Sequence, residues 1–110
     1  MVKGINFLVV SILFLISPLD IWATESWSDY FVIDHIEPIN EGSFAVYPQN
    51  APVNGCSFFR VYINTSGVTA DGAKTILSTA LAAGAQKLPF RLYFEDVSGY
   101  CYSKYSDVDF

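Results

Sequence analysis

Histidine, cysteine and basic residues are all scarce in this chain, and each scarcity removes a class of function. His35 is the single histidine and Cys56 and Cys101 are the only cysteines, while six Lys and Arg stand against eleven Asp and Glu, a formal charge of −5. A nucleic-acid binder needs a basic face to meet phosphate, and an anionic membrane surface asks for the same. Neither partner suits this balance. One histidine leaves no Ser/His/Asp set and no zinc-ligand spacing, and no glycine-rich phosphate loop appears. Acidic pairs do occur, at Glu95-Asp96 and Asp107-Asp109. They lack the regular spacing of oxygen donors that calcium sites need, and they are expected to be solvated turns and strand edges rather than glycosidase carboxylates. His35 alternates with Phe31 and Ile33 inside a strand pattern and is expected at a packed or rim position, not as a general base. The sequence predicts no enzyme, no cofactor and no metal.

A long hydrophobic run is also missing. Lys3 precedes the apolar stretch Phe7–Ile16, Ser17-Pro18 breaks it, and Ile21-Trp-Ala23 places a small residue before a cut. A membrane span needs about 20 continuous apolar residues, so residues 1–23 are expected to be a cleaved export signal rather than an anchor. No membrane insertion is expected after cleavage, and a secreted or periplasmic location follows. Residues 24–110 then form a single domain, whose five Lys and Arg against ten Asp and Glu keep the charge at −5. In an exported small domain a lone cysteine pair is most simply a disulfide. A redox pair is the alternative, but it would want a close Cys-x-x-Cys or a neighbouring activating histidine.

What the chain does have is alternation. Tyr30–Glu37, rich in β-branched and aromatic residues, reads as strand one, ended by Pro38 and the turn residues Asn40-Glu-Gly42. Ser43–Tyr47 is strand two. A turn-dense loop with Asn54-Gly55, suited to positive φ, leads to Ser57–Ile63, with Phe59, Val61 and Ile63 on one face and Phe58, Arg60 and Tyr62 on the other. The period then changes: Ala73, Ile76, Leu77, Ala80, Leu81 and Gly84 fall on one helical stripe behind a Thr69 N-cap, and the helix is expected to bury Ile76, Leu77 and Leu81. Pro89–Glu95 is strand four, with Phe90, Leu92 and Phe94 alternating against Arg91, Tyr93 and Glu95. Asp96–Gly99 turns the chain into Tyr100–Tyr105, a bent fifth strand that extends to Val108 and Phe110. The order β-β-β-α-β-β predicts an all-β domain with one helix, a small five-stranded OB-like barrel whose helix plugs one end. A three-layer α+β sheet is the alternative.

This plan, with its export signal, single cysteine pair and helix leading into Pro89-Phe-Arg-Leu-Tyr-Phe94, resembles the receptor-binding B subunits of bacterial AB5 toxins, especially the subtilase-cytotoxin type, and similar small exported bacterial proteins of unknown role. The resemblance covers residues 30–110. It implies an OB fold, assembly into a homo-oligomeric ring and binding of cell-surface glycans. No sugar-contacting residue carries over, because the strand-one to strand-two region holds no family motif.

Aromatic residues make up 16 % of the chain, and tyrosine joins a flat apolar ring to a hydroxyl, which suits sugar stacking and protein interfaces alike. Tyr93, Tyr100, Tyr102 and Tyr105 gather in strands four and five with Arg91, and Phe58 and Tyr62 share the outer face of strand three. These seven are the candidate ligand-binding residues. Their plain alternative is that the rings cover the second face of a small barrel. Trp27 and Tyr30 either fold back on the domain or dock to a neighbour. Asn64-Thr-Ser66 matches the glycosylation triplet, a coincidence if the signal is bacterial. Two functions are therefore expected: an exported glycan- or receptor-binding module working as a ring, or a periplasmic structural or inhibitory protein that binds one protein partner.

Overall fold

The structure is a computed structural model that describes residues 24–110, so the export signal expected at 1–23 lies outside the described residues. The chain folds into one mixed sheet of six strands with a single long helix: β1 Thr24–Trp27, β2 Ile33–Pro38, β3 Phe44–Pro48, β4 Phe59–Val61, α1 Ala70–Gln86, β5 Phe90–Val97 and β6 Tyr100–Val108. The strand order across the sheet is β1-β5-β6-β4-β3-β2. Neighbours run antiparallel except β4 and β6, which are parallel and meet at Arg60 and Tyr102.

This corrects the expected five-stranded barrel and its order β-β-β-α-β-β. The domain is α+β in the broad sense, but a sixth strand precedes the five expected ones and the sheet is an open mixed one. The cause lies in Thr24–Val32. Thr24–Trp27 pairs with Tyr93–Asp96 of β5, Ser28 and Phe31 continue that contact through amide bonds to the Leu92 and Phe90 carbonyls at 2.8 Å each, and from Ile33 the chain pairs with β3 instead. The consecutive strands β1 and β2 thus sit at opposite ends of the sheet order. Ser28 is buried at the crossover, where its hydroxyl accepts from the Leu92 amide at 3.1 Å. A buried polar side chain is tolerated because that bond satisfies it.

Alternation sets the core. Phe90, Leu92 and Phe94 of β5, Phe44 and Val46 of β3, and Phe59 and Val61 of β4 are buried and pack with Phe31 and Ile33. Phe59 lies parallel to Phe31 at 5.5 Å between centroids and meets the Phe94 edge at 5.3 Å, both favourable ring geometries.

The helix begins where expected, with the Gly72 amide donating to the Thr69 hydroxyl at 3.0 Å. It ends at Lys87, whose left-handed φ of 55° lets the Leu88 amide return to the Ala83 carbonyl at 2.9 Å. It packs mainly against β6 and β2 and buries Ala73, Ile76, Ala80 and Ala83. Leu77 is partly buried, but Leu81 is 54 % exposed, against expectation. Alanines at the centre of the stripe bring the helix axis close to the sheet, so a long side chain at the margin lies beside the contact rather than under it.

Candidate functional site

Two tight turns place the site. Asn54-Gly55, with φ of 50° and 81°, closes a two-residue loop between Val53 and Cys56, and Ser98-Gly99, with φ of 51° and 86°, joins β5 to β6. Positive φ at both central residues is the geometry that two-residue hairpins favour and that Asn-Gly or Ser-Gly permits. Each turn delivers a cysteine, and Cys56 and Cys101 are joined by a disulfide with their Cα atoms 6.2 Å apart. The bond clamps the start of β4 to the start of β6.

Beyond that clamp, the outward residues of β4 and β6 form one aromatic patch. Its centre is Arg60, whose guanidinium carbon lies 4.0 Å from the Tyr100 ring centroid, 4.9 Å from Phe58, 5.8 Å from Tyr62 and 5.9 Å from Tyr102. Each is within cation–π range. Tyr62 meets Tyr102 edge-on at 5.7 Å. The patch extends across β3 and β2 as a stack: Phe58 on Tyr47 at 4.8 Å, and Tyr47 on His35 at 4.3 Å. His35 is exposed, with Nδ1 2.6 Å from the Asp34 carboxylate, a rim position. The Tyr47 hydroxyl donates to Glu37 at 3.1 Å, and desolvation together with that bond raises its pKa above the ordinary tyrosine value.

The seven candidate residues do not form one surface. Phe58, Tyr62, Tyr100 and Tyr102 surround Arg60. Arg91, Tyr93 and Tyr105 form a second patch with Trp27 and Tyr30, which fold back on the domain. There Arg91 lies 4.5 Å from the Trp27 ring and 4.7 Å from Tyr30, and Tyr93 contacts both Trp27 and Tyr105. The charged groups in and beside this patch are paired. Asp107 accepts from the Tyr30 hydroxyl at 2.8 Å and from Arg91 Nε at 3.1 Å. The Tyr30 hydrogen bond, helped by Arg91, holds the Asp107 carboxyl below its usual value, and the same bond raises the pKa of Tyr30. Lys104, the extra residue at the bulge facing Tyr93 and Phe94, donates to Glu25 at 2.9 Å, which raises its own pKa.

Arg60 differs. Among the described residues its Nε is buried without a hydrogen-bond partner and no carboxylate pairs with it. It was absent from the seven candidates, as were Tyr47 and His35. The alternation Phe58-x-Arg60-x-Tyr62 carried the signal for Arg60, whereas the Tyr47–His35 stack depends on cross-strand register. Gly55, Gly99, the disulfide, Ser57, Phe58, Tyr100 and Arg60 line a cavity of about 150 Å³.

Among the described residues there is no group of three or more His, Cys, Asp or Glu placed to hold a metal ion, and no helix long and apolar enough to cross a membrane. No protein-family model, curated protein or solved structure matches the chain.

Proposed function

We propose that the chain is an exported, non-catalytic binding module that captures a glycan or receptor surface on the outward face of β3, β4 and β6. The observation that carries this reading is the aromatic patch around Arg60. A cation held by four π faces, with no carboxylate paired to it among the described residues, leaves donor capacity that a ligand can use, and the flanking rings supply flat apolar contact. The neighbour relations of the strands support a shared face: β4 pairs with β3 on one side and lies parallel to β6 on the other. A charge of −5 favours the sugar over the nucleic acid.

Glycan-array and pull-down capture by wild type, Tyr102→Ala and Tyr93→Ala tests the reading. Tyr102→Ala should reduce capture by about tenfold or more, the scale of a central aromatic contact, with little change in thermal midpoint. Tyr93→Ala, in the second patch, should retain capture. Equal capture by all three would return the Arg60 patch to a structural role. The ring implied by the toxin resemblance is tested by native mass.

A second reading, one protein partner in the periplasm, is favoured by the exposed Leu81, which lines a groove with Ile33, Ile36 and Ala85. Leu81→Asp should abolish partner recovery under that reading and leave glycan capture intact under the first.

A further inference from the structure

We infer that the aromatic row Trp27, Tyr93 and Tyr105 is a second interaction surface, which takes a proline-rich, basic-flanked segment of another protein. The inference goes beyond the function proposed above and does not depend on it. Register fixes the row: Trp27 lies opposite Tyr93 across β1 and β5, and Tyr93 opposite Tyr105 across β5 and β6. Three rings from three strands therefore stand in one line across the outer face of the sheet. Trp27 and Tyr105 are exposed, and Tyr93 is half-buried.

The ring angles select the occupant. Trp27 meets Tyr93 at 68° with centroids 5.4 Å apart, and Tyr93 meets Tyr105 at 43° and 5.7 Å. Rings set at such angles leave V-shaped notches between them. A sugar stacks on a flat face, whereas the compact ring of proline fits a notch. Each step of the row matches about two residues of a polyproline helix, which rises about 3.1 Å per residue. That helix makes no internal hydrogen bonds, so its carbonyls are free to accept from the Trp27 indole N–H and from the Tyr93 and Tyr105 hydroxyls. Its preformed shape also lowers the entropy cost of docking in an aromatic-lined groove.

Charge sets the flanks of the segment. Glu25 and Glu95 face each other on one side of the row, and Asp107 stands opposite Arg91 on the other. Arg91 pairs with Asp107 and Lys104 with Glu25, which leaves the surround with a carboxylate in excess, on a chain of net charge −5. Lys or Arg beside the prolines complements that field. Arg91 lies 4.5 Å from the Trp27 ring and holds it in place before a partner arrives, so less ordering is needed on binding. Past Tyr105 the surface falls into a cleft of about 410 Å³ between β6 and the start of α1, lined by Val68, Thr69 and Ile76, with room for an apolar side chain next to the prolines.

The test measures fluorescence anisotropy of the dye-labelled peptide Lys-Lys-Pro-Pro-Leu-Pro-Pro-Leu on the oxidised protein, with the Trp27 indole ¹H–¹⁵N resonance as local reporter. Saturable binding with a shift at that resonance is expected. Replacing every proline of the peptide by alanine, or both lysines by glutamate, should weaken it by about tenfold or more. Tyr105→Ala should weaken the peptide by a similar factor, and because that side chain is 61 % exposed the variant should keep the wild-type thermal midpoint. No saturable binding, equal binding of the alanine peptide, or wild-type binding by Tyr105→Ala would overturn the inference. Cellohexaose that moves the Trp27 indole and loses that effect in Tyr105→Ala, with the proline peptide inert, would make the row a sugar platform instead. Peptide binding that depends on Tyr105, together with equal glycan capture by wild type and Tyr102→Ala, would sustain this surface and remove the function proposed above. Glycan capture that depends on Tyr102 with no peptide binding would do the reverse.

Discussion

The exposure of Leu81 makes a sharp demand on stability. Ile76 and Leu81 both lie on the helical stripe read from sequence, yet Ile76 is 4 % exposed and Leu81 is 54 % exposed. Ile76→Ala removes three heavy atoms from a packed contact and should cost about 2–4 kcal/mol, slightly reduced by the better helix propensity of alanine. Full burial of a leucine is worth about 1.5–3 kcal/mol, and roughly half of Leu81 already meets solvent, so Leu81→Ala should cost about 1 kcal/mol or less. With a urea m-value of about 1 kcal/mol/M, near the low end for small domains, the two midpoints should differ by about 1–3 M. The assay is equilibrium urea unfolding of the oxidised 24–110 protein, read by far-ultraviolet circular dichroism with m checked for constancy. Equal midpoints for the two variants would refute the placement of Leu81, since they would require it to be covered as fully as Ile76. A loss for Leu81→Ala that grows with protein concentration would show a second copy covering it.

Two further outcomes follow from the covalent clamp and from Asp107. Replacing both cysteines with alanine opens a loop of about 46 residues and should lower stability by about 4 kcal/mol in the chain-entropy treatment. The same variant should lose ligand capture, because β4 and β6 meet at the single pair Arg60 and Tyr102; capture that survives at wild-type strength would separate the clamp from the site. Asp107 is held below the ordinary carboxylate value of 3.8, first by the Tyr30 hydroxyl and then by Arg91. Its contribution is therefore present above 3.8 and is lost as pH falls through the lower folded value, because the unfolded chain takes up the proton first. The thermal midpoint of wild type should fall more steeply below about pH 4 than that of Asp107→Asn, and identical slopes would remove Asp107 from acid stability.

Local pattern and long-range pairing explain what the sequence revealed and what it concealed. Phe90, Leu92 and Phe94 could be placed inward from alternation alone, Thr69 could be placed at a helix start from its side chain, and Asn54-Gly55 could be placed in a turn from its φ preference. Each is a property of a few consecutive residues. Thr24–Trp27 is polar and short, and it becomes a strand only because β5 offers a free edge, a fact held some 70 residues away. Leu81 misled because a stripe fixes a helical face only to within a side chain's width, and the alanines decide how close the axis comes.

The candidate site falls between these cases. The faces of Phe58, Arg60 and Tyr62, and of Tyr100 and Tyr102, follow from period two, but their meeting requires the parallel pairing of β4 with β6. One sequence feature did carry that information. Cys56 lies four residues before Arg60, and Cys101 immediately precedes Tyr102. A disulfide holds its two Cα atoms within about 7 Å, so linking these cysteines also brings residues 58–62 beside residues 100–102. The separate aromatic faces of strands three and five then become one surface with an arginine at its centre. The second patch has no such covalent clue, and the folding back of Trp27 and Tyr30 onto Arg91 depends on the edge pairing of β1, which leaves no periodic trace in Thr24–Trp27.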